Sequence, residues 1–295
     1  MRLHLVDGTF ELFRAHFSKR PDQFDPAGRD VKATVGVVSS MLALLADPDE
    51  EVTHLAVAFD NPIRSFRNDL FAGYKTDDGV PPELHAQFDR VEEAMRAVGI
   101  RYWSMDRWEA DDALATAAAR WRTAVDQVRI LTPDKDLGQA IVGERVVQVD
   151  RIRKKVTDEA GLLAARGISP PSIPDYLALV GDTADGIPGI DGFGEKTAAA
   201  LLRVYGHLEQ IPPRARDWKV TVRGAATLAP TLASQQEEVL LYRTLATLVT
   251  DVPLPESLED LRWRGVPRAA FEAWCDALGL SAQMRGRPSR FAPES

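Results

Sequence analysis

The sequence predicts an α/β protein in which a mostly parallel central sheet, flanked by helices, precedes a C-terminal helical domain. Three short apolar runs, at residues 3–6, 54–59 and 128–131, are typical of buried parallel strands. Helix-like stretches separate these runs, and a βαβ order favours parallel pairing with right-handed crossovers. Past Ser169 the strand signals fade and helical patterns replace them.

The apolar periodicity predicts the helices and strands of the first half of the chain. We predict, in turn, a helix to residue 14, a loop at 21–30, helices at 31–46 and 83–98, a strand at 100–103, a helix from 109, a strand and helix over 128–140 and a strand at 146–149. Residues 61–82 lose clear periodicity and carry cations among aromatic residues. We expect this segment to cross the mouth of a crevice in the sheet.

The second half is predicted to be helical, with helices at 172–180, 195–204, 233–247 and 268–278. We therefore expect an α/β core at 1–168 and a helical domain at 169–280. Residues 281–295 carry Arg, Pro, Gly and Ser without periodicity, which predicts a flexible tail.

Composition is that of a soluble globular protein: 295 residues, 27% charged and 45% hydrophobic. The single cysteine, Cys275, excludes an internal disulfide framework and a cysteine-based zinc site. The first apolar run is too short for a signal peptide, and no run reaches membrane-spanning length, so we expect a cytoplasmic location and no membrane partner. The net charge of −8 argues at first against nucleic acid, but the local field at a site matters more than the total.

Nine acidic residues recur in a pattern, most of them directly after an apolar run. They are Asp7, Asp60, Glu109, Asp111, Asp112, Asp134, Asp136, Asp182 and Asp185. The carboxyl ends of parallel strands face one crevice, so the acids that follow strands are expected to converge there. Carboxylates packed together either take up protons or bind a cation, and the full set predicts a metal site. The alternative is that these acids are only turn residues and helix N-caps.

Residues 181–198 form the most specific single segment, with Gly189, Gly192 and Gly194 ahead of Lys196 and Thr197. Glycine accepts positive φ and lets the backbone approach a ligand, and the start of a helix offers N–H groups. Such a turn suits a nucleic-acid phosphate, which main-chain N–H groups hold whatever the base sequence. The alternative is an ordinary glycine-rich connection between helices. A Walker A loop is excluded because its Gly-Lys-Ser/Thr ending is missing.

Together these segments resemble the successive motifs of the bacterial and phage 5′-nuclease family, which includes flap endonucleases and the 5′-3′ exonuclease domain of DNA polymerase I. The matching segments are Leu5-Val6-Asp7-Gly8, Ala58-Phe59-Asp60, Phe66-Arg67, Tyr74-Lys75, Glu109-Ala110-Asp111-Asp112, Thr132-Pro133-Asp134-Lys135-Asp136-Leu137 and residues 181–198. The resemblance implies a PIN-like 5′-nuclease core with a helical arch at about 61–98. It also implies a helix-hairpin-helix-type (H3TH) motif in the helical domain.

By resemblance, the nine acids hold two Mg²⁺ or Mn²⁺ ions, which hard oxygen ligands favour. Asp7, Asp60, Glu109 and Asp111 are the predicted direct ligands, and the other five acids complete the second ion's site. Two such ions would clamp a phosphodiester for in-line attack by water. The remaining predicted roles are phosphate contact for Lys75 and Arg67, and DNA binding for Arg64, Gly189, Gly192, Gly194, Lys196 and Thr197. A K⁺ ion at the glycine-rich turn is also implied.

The implied activity is that of a structure-specific 5′-3′ exonuclease or flap endonuclease in DNA replication and repair. Its expected substrates are DNA with 5′ flaps or nicks, and RNA–DNA hybrids during primer removal. The length favours a free-standing nuclease. We also expect a monomer that works beside a separate DNA polymerase.

Two residues depart from the family pattern. Asp78 stands where an arginine usually follows the arch lysine, and an acid there should repel phosphate. Pro133 replaces a glycine before Asp134, which fixes φ but leaves the carboxylates available. Asp78 keeps open a second hypothesis, a structure-specific DNA-binding protein with weak or no nuclease activity. A third is that RNA is the main substrate.

Overall fold

A computed structural model describes residues 1–293 of the chain. The chain divides into two compact units. The first unit comprises Met1–Ile63, Asp77–Thr132 and residues 250–293, and the second comprises Arg64–Thr76 and Pro133–Val249. The predicted boundary between residues 168 and 169 stays a prediction.

The first unit carries a parallel sheet with helices around it. Its elements are β1 (Arg2–Asp7), α1 (Gly8–His16), α2 (Lys32–Ala46), β2 (Val52–Asp60), α4 (Pro82–His85), α5 (Phe88–Ala97), β3 (Arg101–Met105), α6 (Ala110–Trp121), β4 (Gln127–Leu131), α12 (Arg268–Ala277) and α13 (Ala282–Arg285). β1 pairs in parallel with β2 and β4, and β2 with β3. Apolar residues of β1 and β2 are buried on both faces of the sheet, as expected for parallel strands covered by helices.

The second unit is mostly helical. Its elements are α3 (Arg67–Leu70), β5 (Val146–Asp150), β6 (Lys155–Thr157), α7 (Glu159–Arg166), α8 (Ile173–Val180), α9 (Glu195–Tyr205), α10 (Ala225–Ser234) and α11 (Gln236–Ala246). One apolar core joins residues of α8, α9 and α11 with Tyr74 and Phe193. In the first unit the strands lie side by side in the order β3-β2-β1-β4, and in the second unit β5 and β6 pair in antiparallel fashion. This confirms the predicted fold class, a mostly parallel α/β sheet with a C-terminal helical region.

Several elements differ from those predicted. The helix expected at 83–98 is interrupted between α4 and α5. At this break the buried side-chain amide oxygen of Gln87 accepts hydrogen bonds from the backbone N–H (3.0 Å) and the hydroxyl (3.2 Å) of Thr34. Strand β6 and helix α10 lack a strong periodic signal and were not predicted. The segment at 136–140 is a 3₁₀-helix.

Residues 290–292 pair with Val266 inside the first unit. The backbone N–H of Val266 donates to Arg290 (3.0 Å), and that of Ala292 donates to Val266 (2.9 Å). Gly265 permits this pairing, because a Cβ there would come within 2.5 Å of the Phe291 backbone. Mobility of the predicted tail at 281–295 stays a prediction, and residues 294–295 lie outside the described residues. Within residues 1–293, no helix has the length and apolar character required to cross a membrane.

Candidate metal centre and nucleic-acid interface

The acids of the first unit lie where parallel strands end. Asp7 is the last residue of β1 and Asp60 the last of β2, and the two strands pair in parallel. The hydroxyl of Thr132, directly beyond β4, donates to Asp7 at 2.9 Å. Gly8 allows α1 to start against β2, since a Cβ there would lie 2.5 Å from the Phe59 ring. The strand ends therefore bring both carboxylates to one edge of the sheet.

These same acids also have local structural roles. Asp7 caps α1 by accepting the N–H of Phe10 at 2.8 Å, and Asp60 accepts the N–H of Ala110, at the start of α6, at 2.6 Å. Glu109 and Asp112 form a reciprocal capping box at the start of α6. Asp111 lies beside them in the first turn of the same helix. Helix capping and metal binding are compatible here, because a carboxylate has two oxygens and four lone-pair positions.

Three acids converge in the second unit. One carboxylate oxygen each from Asp136, Asp182 and Asp185 lies within 4.8 Å of the others. Asp136 begins the 3₁₀-helix after β4, whereas the other two lie in the turn after α8. Asp136 and Asp182 are only 6% and 7% exposed. Such an all-oxygen set, with two of its three acids buried, has the chemistry of a hard divalent-cation site.

Asp136 supplies the strongest indication of a cation. Its Oδ1 is buried and has no hydrogen-bond partner within residues 1–293. Burial, with the charges of Asp134, Asp185 and Asp182, raises the pKa of Asp136 well above its usual value, and Lys135 opposes the rise. A buried carboxylate oxygen without a partner is costly, and a bound cation would remove that cost. The residues present therefore fit a metal ion.

Two lysines accompany the acid cluster formed by Asp136, Asp182 and Asp185. Lys135 Nζ lies 2.7 Å from Asp182, and Lys75 Nζ lies 3.1 Å from Asp185. Burial alone would lower the pKa of Lys135, but its hydrogen bond to Asp182 and the surrounding acids raise it. Lys135 was not a predicted site residue, although it lies inside the segment at 132–137 that resembles the family.

Asp134 is exposed, and both its side chain and its backbone carbonyl accept hydrogen bonds. Its carboxylate accepts the N–H of Asp136 at 2.9 Å, and its carbonyl accepts a hydrogen bond from the side chain of Gln148 on β5. Gln148 thus orients the loop that carries both acids. No pattern in the sequence had indicated a role for Gln148.

The segment at 64–76 positions Lys75 against the acid cluster. The backbone N–H of Lys75 donates to the carbonyl of Asp185 at 3.0 Å, and the side chain of Asn68 donates to the Lys75 carbonyl at 2.8 Å. Gly186 makes this approach feasible, because a Cβ there would lie 2.1 Å from the carbonyl oxygen of Gly73. Neither Asn68 nor Gly186 was a predicted site residue.

Arg67 has a different environment from Lys75. It is 2% exposed, and its guanidinium donates to the carbonyls of Leu245 (2.7 Å) and Thr247 (2.9 Å) beside the Phe66 ring. This geometry favours an anchoring role, and the predicted phosphate contact of Arg67 stays a prediction. Arg64 and Asp78 are exposed.

The glycine-rich turn leads into α9. Gly189 and Gly192 have positive φ, of 75° and 83°, and a Cβ at Gly189 would lie 2.6 Å from the backbone of Val180 and Gly181. Gly189 is therefore required for close packing of the turn on α8. Gly194 precedes α9 with open space where a Cβ would be, and Lys196 is exposed in its first turn. These two positions are accessible to a phosphate.

Comparisons with known proteins agree on one family. Residues 2–167 match the family model of the 5′-3′ exonuclease N-terminal resolvase-like domain. Residues 168–269 match the family model of the 5′-3′ exonuclease C-terminal SAM fold.

Individual relatives and one solved structure extend this match. DNA polymerase I of Bacillus caldotenax is 33% identical over 95% of this chain, but the match covers 32% of the relative, so the chain spans about a third of that polymerase. A 5′-3′ exonuclease of Aquifex aeolicus is 31% identical over 88% of this chain and 86% of the relative. The D155K flap endonuclease of bacteriophage T5, solved as a pseudo-enzyme-product complex with DNA and metal ions, superposes with a TM-score of 0.62 at 18% identity, covering 83% of this chain and 89% of the T5 chain.

Proposed function

Because the chain belongs to the 5′-3′ exonuclease family, we propose that it is a metal-dependent, structure-specific 5′ nuclease that hydrolyses DNA at 5′ ends and flaps. The observation that carries the proposal is the convergence of Asp136, Asp182 and Asp185 around a buried carboxylate oxygen that has no partner within the described residues 1–293. No protein nucleophile is required, because a water molecule attacks the phosphodiester.

The acidic residues are the proposed metal ligands, with Mg²⁺ or Mn²⁺ as the ions. When bound, such ions activate water and stabilise the charge on the attacked phosphate. Asp136, Asp182 and Asp185 would hold one ion, and the acids at the ends of β1 and β2 and at the start of α6 would hold the other. Thr132 and Gln148 orient this machinery through Asp7 and Asp134.

Lys75 is the proposed cation at the scissile phosphate. Its ammonium lies 3.1 Å from Asp185, and its backbone is held by Asp185 and Asn68, so a small rotation of the side chain would redirect its charge. Preorganised positive charge stabilises a phosphoryl transition state. Arg67 supports Lys75 by anchoring the segment at 64–76.

The glycine-rich turn and α9 are the proposed duplex-binding element. The first N–H groups of a helix lack intrahelical acceptors and suit a phosphate, and exposed Lys196 adds charge. Thr197 contributes a hydroxyl, and a K⁺ ion at the turn would serve the same backbone contact. These contacts carry no base specificity, as expected of an enzyme that recognises DNA structure.

The setting we propose is the cytoplasm, with a monomeric enzyme acting beside a DNA polymerase. Its relatives named DNA polymerase I support a role in replication and repair. RNA–DNA hybrids are further proposed substrates. Asp78, exposed where the family has a cation, favours the second candidate, a DNA-binding protein with weak turnover.

A flap-cleavage assay with and without Mg²⁺ tests the proposal. Asp136→Asn should reduce the single-turnover rate by at least about 100-fold, because it removes a ligand charge. Flap binding measured in Ca²⁺ should stay within several-fold of the parent. The control is Asp251→Asn, at an exposed acid that is not a proposed metal ligand, which should leave the rate unchanged. Flap binding without Mg²⁺-dependent cleavage would favour the second candidate, and full activity of Asp136→Asn would refute the metal site.

A further inference from the structure

Lys135 is a charged residue on the acid cluster that the proposed chemistry does not use. Its ammonium lies 2.7 Å from Asp182 and its side chain is 40% exposed, so it can leave the carboxylate without crossing the core. On the same cluster Lys75 contacts Asp185 at 3.1 Å. Two of the three clustered carboxylates thus have an ammonium partner, while the buried oxygen of Asp136 has none within residues 1–293.

The two lysines offset negative charge in the acid cluster. Three carboxylates within 4.8 Å of one another repel strongly when no cation is present. The two lysines reduce that repulsion and stabilise the metal-free fold. A divalent ion placed on the same oxygens would experience repulsion from an ammonium that remained at Asp182.

We propose that Lys135 is a built-in counter-ion that competes with the divalent metal ion for Asp182. Lys135 occupies the carboxylate in the metal-free protein and moves away when the ion binds. Lys135 therefore stabilises the empty site and weakens the affinity of the site for metal. This inference rests on the metal site of the proposed function.

The experiment is a titration of the DNA-free protein with Mn²⁺ by calorimetry, together with thermal unfolding in the presence and absence of Mn²⁺. Lys135→Met should bind Mn²⁺ about 5- to 30-fold more tightly, a range reduced for the partial exposure of the lysine. The Lys135→Met protein should also unfold at a lower temperature without metal, and Mn²⁺ should raise its unfolding temperature by more than it raises that of the parent. Lys135→Arg, which keeps the charge, should bind Mn²⁺ no more tightly than the parent.

Lys219→Met is the matched control, since Lys219 is an exposed lysine of the same unit. It removes the same charge from the chain and should leave the Mn²⁺ affinity unchanged. An equal gain in affinity for Lys219→Met and Lys135→Met would mean that net charge alone is responsible.

The outcomes separate this inference from the proposed function. Unchanged or weaker Mn²⁺ binding by Lys135→Met, with normal binding by the parent, would refute competition and leave the metal site intact. Absence of Mn²⁺ binding by the parent would refute the metal site itself. If Lys135→Met does not fold without metal, refolding in Mn²⁺ decides: recovery supports a counter-ion role, and failure to recover refutes it.

Discussion

Gly186 provides the sharpest test of how Lys75 is positioned. Its φ is 75°, and an added Cβ would lie 2.1 Å from the carbonyl oxygen of Gly73. Because contacts below 3.0 Å essentially never occur, Gly186→Ala must displace the segment at 64–76 or the turn after α8 by about an ångström. Either shift stretches the 3.0 Å hydrogen bond from the Lys75 N–H to the Asp185 carbonyl.

The expected cost has two parts. A left-handed backbone costs an alanine about 1–2 kcal/mol, and the displaced segment loses a backbone hydrogen bond worth about 1 kcal/mol along with packing around Tyr74. We therefore expect Gly186→Ala to lower the free energy of unfolding by about 3–5 kcal/mol.

Gly167→Ala is the matched control. Gly167 has nearly the same φ, 73°, in the same unit, but nothing lies within 4 Å of the position that an added Cβ would occupy. It should cost only the backbone term, about 1–2 kcal/mol. Urea unfolding at pH 7 measures both variants. Equal losses would refute the close approach of Gly186 to Gly73, whereas an excess for Gly186→Ala together with slower flap cleavage would support it.

Two further predictions concern a buried arginine and a half-buried glutamate. Arg67→Ala should lower the free energy of unfolding by about 3–5 kcal/mol, because two carbonyls lose their donor and a cavity forms; a slower cleavage rate at unchanged stability in urea would instead indicate a phosphate contact. Glu50 is held by a hydrogen bond to His4 (3.0 Å) and by Arg129 (2.9 Å), and these lower its pKa to about 2. Because the carboxyl pKa is lower in the folded protein than the value of 4.5 in the unfolded chain, the ionised Glu50 stabilises the fold at pH values above 4.5. This stabilisation, at most about 3 kcal/mol, is lost as the pH falls from 4.5 towards 2. The free energy of unfolding, measured at successive pH values, should fall less steeply over this interval for Glu50→Gln than for the parent. Identical slopes of this free energy against pH would contradict the lowered pKa of Glu50.

Local patterns in the sequence were sufficient for the fold class. Strands β1, β2 and β4 are short and mostly apolar, and β1 and β2 each end at an aspartate. Burial on both faces demands such runs, so a one-dimensional pattern carries the information. The antiparallel β6 was not predicted because its three residues, two exposed and one half-buried, leave no periodic signal.

The candidate acids could also be predicted, because carboxylates after parallel strands must share an edge of the sheet. The contacts that each acid makes could not be predicted from the sequence. Asp136 is buried without a partner for its Oδ1 within residues 1–293, whereas Asp134, two residues earlier, is exposed. That difference depends on packing around the 3₁₀-helix, which no local pattern encodes.

The sequence alone determined the α/β class, the acidic set and the glycine-rich turn, since each is written in residue type and spacing. Only the tertiary structure decided which cations neutralise which acids. It buried Arg67 against the end of α11 and placed Lys75 and Lys135 on Asp185 and Asp182. The physical reason is that an ion pair depends on distances between residues far apart in the chain, and those distances exist only after the core has packed.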